Sequence, residues 1–209
     1  MARPTTIDDE VILEAARQVF LEEGYAATTA SIARRAGVSP GSLFKRFTSK
    51  EELFWRAMDL SGTDDIEWIQ HLPGMVGTGS VQQNIAHILT EMLLELRHAM
   101  PHIMMAWSNL PPEFIATKFD KTDHPAEVIS KHVRNYLHAE IALGRLREFD
   151  VDQFTQVLMG HAFYTVFMRM TTDSHRQSAP STPETHAEVA AMAERFVAVL
   201  WQGLAPTQD

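Results

Sequence analysis

The sequence predicts an all-α protein, with an N-terminal three-helix head carrying a helix-turn-helix and a larger helical body behind it. Two observations predict this class. Apolar residues recur at helical spacing along most of the chain, and no alternating run marks a strand. Glycines, prolines and capping residues fall between the periodic stretches, where helix ends require them. The expected division is residues 1–55 for the head and 56–209 for the body.

The first helix is expected from Ile12, Ala15, Ala16, Val19 and Phe20, which share one face. Thr6 is its expected cap, the acids after it suit the positive end of the helix dipole, and Gly24 ends it. A short second helix runs from about Thr29 to Ala36 with Ile32, Ala33 and Ala36 inward. Gly37-Val38-Ser39 forms the turn. Ser39 caps a third helix whose first position is Pro40, where a missing N–H costs nothing. Ser49 and Glu52 read as a capping box opening a fourth helix. Pro73-Gly74 and the Gly77–Ser80 loop, read as a flexible connection, precede longer helices near 80–99, 101–109, 125–144, 150–171 and 184–203. Pro101, Pro111-Pro112 and Gly144 are taken as dividers, and no internal repeat is visible.

Apolar residues make up 45% and charged residues 22%, the balance of an ordered globular chain. With no cysteine, disulfides, thiol catalysis and cysteine-ligated metal sites are excluded. Asp8, Asp9 and Glu10 stand where a secretory leader needs cations and an apolar run. Val157–Met168, the longest nearly apolar stretch, falls short of the roughly 20 residues of a membrane span. The expectation is a cytoplasmic protein without a membrane partner.

The net charge of −9 disfavours nucleic acid, but its distribution does not. Thr28–Lys50 holds Arg34, Arg35, Lys45, Arg46 and Lys50 and no acid, whereas 21 carboxylates face 11 cations after Lys50. On a helical wheel of the third helix, Leu43 and Phe47 define the buried side. Gly41 and Lys45 point away, Ser42 lies on one flank, and Phe44 and Arg46 stand at the borders. Small residues allow close approach to a major groove, and lysine or arginine can donate to guanine O6 and N7. Arg34, Arg35 and Lys50 suit backbone contacts that position without specifying.

The run TTASIARRAGVSPGSLFKRFTSKEELF, preceded by FLEEGYAA, closely resembles the DNA-binding region of the TetR repressor family. The resemblance spans about residues 7–58 and rests on an ordered set: Phe20, Gly24-Tyr25, Thr28-Thr29, Ile32-Ala33, Ala36–Ser39, Gly41, Leu43, Phe47 and Lys50. It implies that Thr29, Ser39, Gly41, Ser42, Phe44, Lys45, Arg46 and Lys50 line double-stranded operator DNA, and the flanking Arg34 joins them on its charge alone. Phe44 departs from the family's usual tyrosine, so a hydroxyl contact to phosphate is absent. Contact with a thymine methyl and a partly buried position both remain open for it. Ser39 reads equally as a cap, and Gly41 as a packing residue. Lys45-Arg46 replaces a frequent aromatic–histidine pair, so no operator sequence carries over.

The resemblance further implies a homodimer formed by the last two helices. Phe154–Met170 is apolar nearly all round, and Val189, Met192, Ala193, Phe196, Val197, Leu200 and Leu204 form a stripe. Packing within one monomer is the alternative. A small-molecule effector is implied between the middle helices, with candidate lining residues Met92, Leu96, Met100, Met104, Met105, Trp107, Phe114, His132, Tyr136, His161 and Tyr164. Methionine adapts to varied ligands, so an apolar or aromatic effector fits, although each residue also suits an ordinary core.

No enzyme is expected, since no Gly-x-Ser-x-Gly, His-Glu-x-x-His or phosphate-loop lysine occurs. No cofactor is called for. His98 and His102 are four apart but separated by Pro101, and His138-Ala139-Glu140 lacks the cysteines of a deaminase site, so no metal is expected. The competing functions are a ligand carrier without DNA activity, and an activator in place of a repressor.

Overall fold

The computed structural model describes residues 8–58, 60, 66–118, 124–173 and 185–203. Among them lie ten helices: α1 (Asp9–Glu23), α2 (Thr29–Arg35), α3 (Pro40–Phe44), α4 (Lys50–Ala57), α5 (Glu67–Met75), α6 (Val81–Asn109), α7 (Pro112–Lys118), α8 (Pro125–Ala142), α9 (Val151–Asp173) and α10 (His186–Trp201). The expected caps at Thr6 and the stripe residue Leu204 lie outside the described residues. The chain divides into two units, Met1–Gly62 with Pro101–Asp120, and Thr63–Met100 with Lys121–Asp209.

In the first unit α1 buries the five residues its periodicity selects, Ile12, Ala15, Ala16, Val19 and Phe20. Asp8 is its cap, accepting from Glu10 N at 3.4 Å. At the other end Gly24, with φ 75°, donates its N–H to the Phe20 carbonyl at 2.9 Å, a left-handed conformation that favours glycine. Thr28 and Ser39 cap α2 and α3 by accepting from Ser31 N and Ser42 N, each at 3.1 Å. Between them Gly37, with φ 69°, turns the chain, and Val38 N–H closes on the Ala33 carbonyl at 2.9 Å. Phe20, Tyr25 and Phe54 pack as an aromatic trio with centroids 5.0–6.1 Å apart.

The core of this unit does not stop at residue 55. Ala57, Met58, Leu60, Ala106, Leu110 and Ile115 are buried in the same cluster, and Phe114 meets Trp55 edge-on at 6.2 Å. Four short helices leave the outer side of α4 uncovered, and the segment around α7 covers it. The α4 capping box is half formed for a related reason. Ser49 accepts from Glu52 N at 3.1 Å, but the Glu52 carboxylate pairs with Lys118 of α7.

Prolines account for three differences from the sequence reading. Pro101 lies inside α6 instead of dividing two helices. Its missing N–H and its clash with the preceding turn cost about 3 kcal/mol, an amount that anchoring Met100 and Ala106, both buried, is large enough to offset. Pro73 is likewise inside α5, which the sequence reading left as a break. Pro112 is the first residue of α7, a position it suits.

In the second unit α8 packs on both α5 and α9. Its one fully buried charge, Glu140, organises the Gly77–Ser80 loop, which is therefore not a free connection. Glu140 Oε1 accepts from Gly77 N at 3.1 Å, and Oε2 faces Arg145 Nη1 at 3.4 Å. Arg145 Nη2 donates to the Thr78 and Gly79 carbonyls at 3.1 and 2.6 Å, and Asn84 Nδ2 donates to Thr78 O at 3.0 Å. Gly77 has φ 74°, and a Cβ there would also stand 3.3 Å from Leu143 Cδ1.

Removing a buried carboxylate strands the groups that face it. Glu140→Ala is expected to lower unfolding stability by about 2–3 kcal/mol, below the cost for a fully buried pair because Arg145 keeps some solvent. Glu140→Gln keeps an acceptor for Gly77 N and should cost about half as much. Urea denaturation midpoints check both, and equal stability of the alanine variant would refute the role.

Candidate nucleic-acid interface

The outward face of α3 follows from what the helix buries. Leu43 and Phe47 are fully enclosed, while Gly41, Ser42, Phe44, Lys45 and Arg46 are exposed. The helix ends at Phe44, yet the turn continues its geometry: Lys45 N bonds to Gly41 O at 3.2 Å and Phe47 N to Leu43 O at 3.0 Å. The wheel that put Lys45 opposite the core therefore holds through Phe47.

Each predicted contact residue now has a place. Thr29 opens α2 and is half-buried. Ser39 is engaged as a cap, and its Oγ lies 2.9 Å from Ser42 Oγ. A Cβ at Gly41 would meet only Ser39 Oγ, 3.9 Å away, so packing within the head does not demand glycine there. Phe44 is 48% exposed, so about half of it stands in solvent beside Lys45.

The five cations divide into two kinds. Arg35 binds Glu22 with both nitrogens at 2.7 and 2.6 Å, which raises its pKa and lowers that of Glu22 through the shared hydrogen bonds. Arg46 pairs with Asp9, whose other oxygen is 3.8 Å from Arg56. Lys50 Nζ sits 4.4 Å over the Tyr25 ring. Arg34 and Lys45 are exposed and have no ion-pair partner among the described residues. What sequence reasoning missed is that Asp9, Glu22 and Tyr25 hold these cations. Asp9 reads there only as a helix-dipole acid, and no local signal announces a partner 37 positions away.

Residues 12–57 match the model for bacterial regulatory proteins of the tetR family. Residues 12–57 therefore form a tetR-type regulatory domain. The whole chain also matches solved structures. One is assigned to the TetR-family transcriptional regulators of Mesorhizobium loti MAFF303099, at 17% identity and TM-score 0.74, covering 98% of this chain and 100% of that one. Another is the transcriptional regulator FadR of Bacillus subtilis in complex with stearoyl-CoA, at 16% identity and TM-score 0.63, covering 91% and 97%. A third is the fatty acid degradation regulator FadR of Bacillus halodurans, at 16% identity and TM-score 0.61, covering 94% and 96%. At these identities the structures share the fold.

The expected effector residues fall in both units. Met92 and Met100 are buried and Leu96 and His132 half-buried in the second unit. Tyr136 is buried there, and burial first, then the Glu140 charge, raises its pKa. His161 stacks on Phe196 at 3.6 Å, its Nε2 buried without a partner among the described residues and its pKa lowered by burial. Met104, Met105, Trp107 and Phe114 belong instead to the first unit, where Met105 and Phe114 pack on the head core. Trp107 and Tyr164 are 61% and 64% exposed, so neither lines an enclosed core position. Because α6 is unbroken, His98 and His102 do share one helix, contrary to the reason first given against a metal. No group of three potential ligands gathers among the described residues, and no described helix is long and apolar enough to cross a membrane.

Tyr25 gives this head a titration signature. Its hydroxyl donates to Glu51 Oε1 at 3.1 Å, and burial first, then the Glu51 charge and hydrogen bond, push its pKa up to about 12. A raised tyrosine pKa favours the neutral folded form. The associated stability is complete below the unfolded value of about 10 and is lost as pH rises from there through about 12. Phenolate absorbance of the wild-type protein minus that of Tyr25→Phe should give a step at about 12, and a step at the free-tyrosine value would contradict the geometry.

Proposed function

We propose that the protein is a ligand-responsive repressor. It binds a palindromic operator as a dimer and is released by a small-molecule effector held in the larger unit. The observation that carries the reading is the pair of exposed cations, Arg34 and Lys45, on a helix-turn-helix whose other cations have internal partners. In this reading Lys45 donates to a base edge. Arg34 and Lys50 hold phosphates, and Thr29, Ser39, Gly41, Ser42, Phe44 and Arg46 complete the contact surface. The functional division is a DNA-binding head and a body for ligand and dimerisation, acting in the cytoplasm.

The dimer reading is supported by α9, whose Val157, Phe163, Tyr164 and Met168 are exposed beside Gly160, and by Val199 of α10, which is 77% exposed. Such a face is costly in water and cheap against its own copy. The effector reading is supported by Met92, Met100 and Leu96 in the second unit and by the stearoyl-CoA held by the Bacillus subtilis FadR, which has this fold. Both favour an effector with an extended apolar portion. Effector binding weakens operator binding, and by reciprocity operator weakens effector binding by the same factor.

Selection of sites from a random duplex pool tests the DNA reading. The expected product is a palindrome with two half-sites spaced by about one helical turn or a multiple, bound with an affinity that falls steeply with salt. Lys45→Ala should weaken binding to it by about 1–3 kcal/mol. Unchanged affinity would remove Lys45 from the base contacts, and a folded dimer that enriches no duplex would favour the ligand-carrier alternative. Sedimentation tests the dimer: Tyr164→Asp with Phe163→Asp should convert it to monomer at micromolar concentration, and a wild-type monomer would overturn it.

A further inference from the structure

Phe44 is conspicuous among the aromatic side chains of the head, although Val11 and Leu21 of α1 are as exposed. Phe20, Phe47 and Phe54 are fully enclosed and Trp55 nearly so, whereas Phe44, the last residue of α3, leaves 48% of its surface in solvent. It has no ring contact among the described residues. Its neighbours on the exposed face are Gly41, one turn earlier, and Lys45, next in the chain. The surface over Gly41 is open, since a Cβ there would meet only Ser39 Oγ at 3.9 Å. A partner can therefore approach the backbone at Gly41 and meet the Phe44 ring in the same patch, because residues three apart share a helix face.

The ring has neither donor nor acceptor, so it cannot serve a phosphate or a base edge through hydrogen bonds. The major groove offers one apolar group, the C5-methyl of thymine, and phenylalanine is a side chain that packs on it. We infer that Phe44 reads a thymine methyl in each half-site, beside the base that Lys45 contacts, and so helps set the operator sequence. This inference rests on the DNA-binding reading above.

The test uses the duplex recovered by selection with the full-length protein. Each thymine is replaced in turn by deoxyuridine, which keeps the pairing and removes only the methyl. One thymine per half-site should matter. Its replacement in one half-site should weaken wild-type binding about fourfold, the factor expected for one buried methyl group, and replacement in both by about 15-fold. Phe44→Ala should bind the thymine duplex more weakly and the two duplexes equally, while Phe44→Leu should keep part of the preference. Since the side chain is exposed, both variants should melt as the wild type does, and if one fails to fold the wild-type comparison still decides. Equal wild-type affinity for all deoxyuridine duplexes, a half-site without thymine, or an undiminished preference in Phe44→Ala would overturn the inference while leaving DNA binding intact. Failure of the wild-type protein to bind any duplex would instead remove the reading on which it rests.

Discussion

Burial of Leu43 and Phe47 fixes the outward face of α3, and the candidate surface depends on that one constraint. The two residues are four apart and both fully enclosed, so the helix has a single rotational setting about its axis. Gly41, Ser42 and Lys45 then have no route inward. The core that receives Leu43 and Phe47 is itself held by the Phe20–Tyr25–Phe54 trio and by Arg17 Nε, which donates to the Ala57 carbonyl at 2.8 Å and so closes the end of α4 against α1. A loosened core residue anywhere in this set would blur the helix orientation before it removed a single surface charge.

The head was legible because its signals are local. Ser39-Pro40, Gly37 and the 3.6-residue spacing of α1 each act within one turn of chain, and each has the structure it predicts. What the sequence hid was tertiary competition. Glu52 matches a capping box, but Lys118 lies 66 residues away in sequence and close in space, and a full charge outbids a neutral amide. The prolines misled for a similar reason: propensity at Pro73 and Pro101 is a local cost, and packing on both sides is a larger, non-local gain. The loop at Gly77 read as flexible because glycines and small polar residues carry no sign of the buried carboxylate, 63 positions on, that accepts from it.

The body resists such reading because its apolar residues look alike in sequence. Met92, Met105, Trp107 and Tyr164 all match a lining residue by type. The first is buried, the second packs on the head core, and the last two face outward. Hydrophobicity does not say whether a side chain meets its own core, a second copy or a ligand. Exposure separates the first from the other two, which is why the outward residues of α9 support an interface more firmly than the inward ones support any particular effector.

The division among the head's cations has an electrostatic consequence for the proposed DNA contact. Arg46 and Arg56 share Asp9, and Arg35 is held by Glu22, all at exposed positions where solvent screens an ion pair. Exchanging such a carboxylate for a phosphate trades one anionic partner for another, and an arginine that keeps its carboxylate releases fewer of the counterions condensed on the duplex. Arg34 and Lys45 have no such partner among the described residues and approach the duplex at full charge. Lys50 is intermediate, since the Tyr25 ring steadies its ammonium without neutralising it. The salt-sensitive part of binding then falls on a few side chains, while the paired arginines act as positioned donors whose geometry is set before DNA arrives. In the proposed reading this is how a chain with net charge −9 would face phosphate: the acids nearest that surface are spent on steadying its cations.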